Sequence, residues 1–87
     1  MHSIQSAVRN ALLRIEAARA ATGDSRGAFY SKVTAGLMVK PFKISARSAA
    51  VLVHEIEAIN AARIAGQSDA AIRALVTKLH AERVISA

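Results

Sequence analysis

Apolar positions change their spacing several times along the chain, and each change marks an expected element. Ile4, Ala7, Val8 and Ala11 recur at helical spacing behind Ser3, a hydroxyl N-cap, and predict a short helix ending at Leu12. Leu13-Arg14-Ile15 then reads as a brief extended piece. Glu16 to Ala21 is rich in helix formers and sets its carboxylate in the first turn, where the helix dipole favours it. Gly23 stops that helix as a left-handed terminator. Ser25 offers a cap for a second helix over Arg26 to Ala35. On it Phe29 and Val33, four apart, face inward and leave Arg26, Tyr30 and Lys32 nearer the outer side. Gly36 ends this helix. Two short helices joined by the tight Thr22-Gly23-Asp24 turn have the spacing of a helix-turn-helix.

From Leu37 to Ser45 the residues favour extended structure, and Pro41 forbids a helix interior while suiting an edge or a bend. The pattern predicts a small two-stranded hairpin, a wing, from about Leu37 to Arg47, which must pack on helices to be stable. Ser48 is expected to cap a third helix reaching Ala65. Leu52, Ile56 and Ile59 form its inner stripe, Ala49 and Ala62 extend it, and Gly66 closes it. Beyond the caps Ser68 and Asp69, Ile72, Leu75, Val76 and Leu79 trace an amphipathic helix running to Ile85, with Arg73, Lys78, His80 and Arg83 mostly off the stripe. That stripe either folds back to enlarge the core or offers an oligomer or partner surface. The expected fold is mainly α with a small β-hairpin wing: a winged helix-turn-helix over residues 13–66, preceded by an extension over 1–12 and followed by a C-terminal amphipathic helix over 67–87.

Composition narrows the function classes. Of 87 residues 53% are hydrophobic, but 20 are alanine, so 26 larger apolar residues must fill the core of one small domain. A separate catalytic domain or a doubly wound nucleotide-binding fold does not fit in this length. Phe29, Tyr30 and Phe42 are too few for a platform that stacks single-stranded bases. Without cysteine there are no disulfides, thiolate zinc sites or thiol chemistry. The longest apolar run, Ala49 to Val53, is far short of a membrane span, and no signal-peptide core opens the chain. A cytoplasmic protein with no membrane partner is expected. His2, His54 and His80 are dispersed, and His54-Glu55 lacks ligand spacing, so no metal or cofactor is expected. Glu55 and Glu57 diverge on a helix, and neither a Ser-His-Asp arrangement nor a phosphate-cradling glycine loop is present. The expectation is therefore no enzymatic activity and no small-molecule substrate.

Charge adds direction. Twelve basic residues against six acidic ones give +6, with a pI near 10.9, a balance that suits a polyanionic partner. The excess is local. No acidic residue lies between Asp24 and Glu55, and that interval carries Arg26, Lys32, Lys40, Lys43 and Arg47. Elsewhere the two signs nearly cancel. Exposed surfaces usually intersperse both signs, so the middle third is the electrostatic footprint. Arg26, at the start of the second helix, has the reach for a bidentate contact to guanine.

Thr22-Gly23-Asp24-Ser25-Arg26, Tyr30, Gly36, Lys40-Pro41-Phe42-Lys43-Ile44, Arg47 and Glu55-Ile56-Glu57 together resemble the AlpA-type regulators of phages and mobile elements. That family is similar in turn to MerR-like winged helix-turn-helix domains and to small excisionases, RdfS-type factors of conjugative elements among them. The resemblance covers roughly residues 12 to 65. It implies that Ser25, Arg26 and Tyr30 lie on a recognition helix at the major groove, a helix that Gly27 and Lys32 share. It also implies that Lys40, Lys43 and Arg47, on or beside the wing, touch backbone or minor groove. Four positions depart from the family pattern. Asp24 stands where an apolar residue is usual, Val51 and Ile59 where tryptophan is frequent, Ser31 where a base is common, and Gly27 where a hydroxyl residue is usual. Gly27 loosens the helix start but allows close backbone approach.

The resemblance implies a sequence-specific double-stranded DNA-binding protein of a bacterial or phage-derived mobile element, working at the nucleoid. As an excisionase, or recombination directionality factor, it bends attachment-site DNA and biases an integrase toward excision, and some members also activate transcription. Self-association on DNA is expected, because one recognition helix and one wing bury a small interface. Two alternatives stand beside this: an AlpA-like transcriptional activator with no recombination role, and a protein-binding adaptor that uses the C-terminal helix.

Overall fold

The computed structural model describes residues 11–86, so the helix expected behind Ser3 falls almost wholly outside the described residues. In chain order it contains β1 (Leu12–Arg14), α1 (Ile15–Thr22), α2 (Arg26–Thr34), β2 (Phe42–Ser45), β3 (Ser48–Leu52), α3 (Val53–Ile64) and α4 (Asp69–Ser86). The architecture is mixed: four helices around a small antiparallel sheet with strand order β1-β3-β2.

Local chemistry sets the first half. Gly23 takes φ 77°, and the amides of Gly23 and Asp24 close the end of α1 on the carbonyls of Ala20 and Arg19. Asp24 then locks the turn, accepting from the Thr22 hydroxyl at 2.8 Å and from Lys32 Nζ at 2.6 Å. The departure at Asp24 is thus met by polar bonds within the turn. The Ser25 hydroxyl oxygen accepts the Ala28 amide at 3.1 Å and caps α2. Phe29 is fully buried and Val33 packs against the core, as their spacing predicts.

Two expectations about the middle of the chain are corrected. The hairpin does not begin at Leu37. Residues 35–41 form an irregular strap, and only Phe42–Ser45 makes the first strand. Ser48 does not cap a helix: Ser48–Leu52 is the central strand of the sheet, paired with β1 (Leu13 opposite Val51) and with β2 (Phe42 opposite Ala50). Ala50 and Val51 point to opposite faces and both are buried, so the strand is covered on both sides. The helix starts instead at Val53, where the buried Glu55 carboxylate accepts the Leu52 amide at 3.0 Å. Arg47 accordingly sits in the two-residue turn between β2 and β3, not at the start of a helix.

The strap is fastened by helices that follow it in sequence. Arg63 of α3 donates to the Leu37 carbonyl, and Arg73 and Arg83 of α4 donate to the carbonyls of Ala35 and Lys40. His80 Nε2 accepts the Lys40 amide at 2.9 Å. Met38 and Val39, on the strap's inner side, are buried. On α4, Ile72, Val76 and Leu79 are buried in the same core, and Leu75 packs against it. No helix among the described residues is long and apolar enough to cross a membrane.

Candidate nucleic-acid interface

Three arginines from separate elements converge on one surface. Arg14 projects from β1, Arg26 from the first turn of α2, and Arg47 from the β2–β3 turn. With Ile15, Glu16, Tyr30, Ser48 and Ala49 they line a cleft of about 450 Å³ between α2 and the hairpin. The sheet makes this possible. Antiparallel pairing sets Arg14 opposite Ala50 and brings β1 alongside the strand that follows Arg47.

Arg26 is held from two directions. Its Nη1 donates to Glu16 Oε2 at 3.0 Å, and its guanidinium carbon stands 5.4 Å from the centroid of the Tyr30 ring, a cation–π contact. Tyr30 is braced in turn, edge-on to buried Phe29 with centroids 5.9 Å apart. The other Glu16 oxygen accepts Nε and Nη2 of Arg19 at 3.1 and 2.7 Å. These bonds, Arg19 first and Arg26 second, hold the Glu16 carboxyl below its ordinary range. The cleft therefore presents three guanidinium groups and one ionised carboxylate, with an arginine plane braced at its side. Cationic groups of this kind contact phosphate oxygens, and an oriented guanidinium matches the guanine major-groove edge.

Of the residues expected at the site from sequence, the cleft brings together Arg26, Tyr30 and Arg47. Ser25 and Gly27 flank Arg26 on the first turn of α2. Gly27 is exposed, with a helical φ, and among the described residues nothing beyond its chain neighbours and its own helix backbone lies within 4 Å of where a Cβ would stand. Lys32 lies outside the cleft, paired with Asp24 and half-buried. Lys40 and Lys43 are exposed but do not line the cleft. Lys40 belongs to the strap and Lys43 to β2, so the two do not share a strand. Arg14 and Glu16 were missed. Arg14 stood out only as the polar residue between Leu13 and Ile15, and its place beside Arg47 depends on a pairing that local pattern does not reveal.

Among the described residues no group of three His, Asp or Glu side chains is placed to hold a metal ion. Compared with family models, curated proteins and solved structures, the chain finds no match in any of the three.

Proposed function

We propose that this protein is a sequence-specific double-stranded DNA-binding protein of a mobile genetic element, with β1, the α1–turn–α2 unit and the β2–β3 hairpin acting as a winged helix-turn-helix. The observation that carries the reading is the convergence of Arg14, Arg26 and Arg47 on one cleft between helix and hairpin. α2 enters the major groove with Arg26 at a base edge and Tyr30 behind it. Arg14 and Arg47 hold the flanking phosphates, and Lys43 on the exposed wing extends that contact. Lys32 braces the turn through Asp24 instead of touching DNA.

The reading extends to an excisionase: copies occupy adjacent sites on attachment-site DNA, bend it, and help an integrase assemble for excision. Curving a site of about 20–30 base pairs costs roughly 1–6 kcal/mol, which several phosphate contacts per copy can offset. Family resemblance supports this step, and transcriptional activation is the alternative output of the same DNA-binding surface.

The test supplies purified protein, an integrase from the same genome, and a plasmid bearing both attachment half-sites of that integrase. Excision that requires the protein and fails with Arg47→Ala supports the excisionase role. Excision indifferent to the protein, with promoter activity dependent on it, leaves the activator.

A further inference from the structure

A carboxylate in the middle of a surface that meets phosphates needs an explanation. Glu16 is exposed, so no demand of the core places it there. It opposes the attraction of every phosphate that approaches Arg14, Arg26 and Arg47. As a simple helix-start charge, it would not need to reach across to a residue ten positions on and grip it at 3.0 Å.

Resting on the DNA-binding reading, we infer that Glu16 is a specificity-determining positioning residue, which orients Arg26 toward guanine and in exchange weakens binding to all other DNA. The guanidinium carries five N–H groups in a fixed plane. Glu16 takes one of them at Nη1, and Tyr30 covers a face of the group. Among the described residues no hydrogen-bond partner takes the Nε and Nη2 hydrogens, which leaves donors for a bidentate contact to guanine O6 and N7. An arginine fixed in this way loses its rotamer freedom on folding and not on binding. It is also less free to swing aside and satisfy itself on a phosphate when the base is wrong. Arg19, on the other Glu16 oxygen, fixes the carboxylate from behind. The net effect is lower affinity for arbitrary sequence and a higher ratio between right and wrong sites, a form of discrimination by an introduced repulsion.

Two substitutions separate charge from orientation. Glu16→Ala removes both. Glu16→Gln removes the charge but keeps an acceptor within reach of Arg26. The probes are a duplex obtained by selection from a randomised library on the wild-type protein and a scrambled duplex of equal composition, read by fluorescence anisotropy. Both variants are expected to bind the scrambled duplex several-fold more tightly. Glu16→Ala should lose about tenfold of the selected-to-scrambled preference, Glu16→Gln distinctly less, and neither should change it further when Arg26 is already alanine. Circular dichroism melts confirm that each variant is folded. A preference kept at the wild-type ratio in Glu16→Ala overturns the inference, as does a loss of equal size in the Arg26→Ala background. A wild type with no preference for any selected duplex overturns the DNA-reading proposal itself, an outcome distinct from both.

Discussion

Arg83 grips Glu55 with two parallel hydrogen bonds, Nε to Oε2 at 2.6 Å and Nη2 to Oε1 at 2.8 Å, and the carboxylate has no exposed surface. The same guanidinium donates to the Lys40 carbonyl and lies 5.1 Å from the centroid of the Phe42 ring. One side chain of α4 thus joins the start of α3, the strap and the first strand of the hairpin. Removing it leaves a buried carboxylate without its counter-charge. Arg83→Ala should cost about 3 kcal/mol of stability, measured by urea unfolding, since breaking one partner of a buried pair costs roughly 3–5 kcal/mol. A loss below about 1 kcal/mol would mean that the α4–hairpin tie does not hold the fold.

His80 gives the same tie a pH dependence. Burial pushes its pKa down from 6.5, and the nearby Arg83 charge pushes the same way, while Nε2 accepts the Lys40 amide and so must be unprotonated there. A group whose folded pKa is depressed supplies stability above its unfolded value, and that stability is lost as pH falls from there toward the folded value. Unfolding free energy should therefore begin to drop as pH falls through about 6.5, before carboxylates titrate. His80→Gln, which keeps an acceptor but no titration, should flatten that part of the curve. A wild-type profile flat down to pH 5 would contradict the assignment.

Gly27 separates folding from binding. Among the described residues nothing requires a glycine there, and glycine in a helix costs about 1 kcal/mol relative to alanine. Gly27→Ala should raise stability by about that amount in urea titrations and, under the proposed docking of α2 in the groove, weaken DNA binding by setting a methyl group where the sugar-phosphate backbone would approach. Equal DNA affinity in the two proteins would place the duplex away from the first turn of α2.

Lys32 and Arg47 were both expected at DNA, and the structure gives them different surroundings. Lys32 neutralises Asp24. Burial alone would raise that carboxyl, but the bonds from Lys32 and Thr22 outweigh it and hold the group below its ordinary value. Lys32→Ala should lower stability by about 1 kcal/mol and leave the salt dependence of DNA binding unchanged. Arg47→Ala should do the reverse, keeping stability and reducing the log–log salt slope by about 1. A slope altered by Lys32→Ala and not by Arg47→Ala would invert the interface.

The helical parts were legible in the sequence because their signals are local. Gly23 and Ser25 end and start helices through bonds spanning a few residues, and Phe29 with Val33 marks the buried side at helical spacing. β3 was not legible. Ser48-Ala49-Ala50 reads as a capped helix start, and only pairing with Leu12–Arg14 and Phe42–Ser45, distant along the chain, makes it a strand. The charge count was misleading for a related reason. Arg63, Arg73 and Arg83 bind backbone carbonyls of the strap, so three of the twelve basic residues serve the fold. Arg14 joins the cleft only once β1 lies beside β3, which is why the interval between Asp24 and Glu55 does not contain all of the cleft's arginines.

The most direct test of the account is anisotropy binding of wild type and Arg26→Ala to a library-selected duplex and a scrambled duplex across a salt series. With Arg14, Lys43 and Arg47 on phosphates, the wild-type slope should be about −2.7 per protomer. Its preference for the selected duplex should collapse in Arg26→Ala. Weak, equal binding to both duplexes that is indifferent to Arg26 would contradict the claim that the cleft between α2 and the hairpin reads DNA.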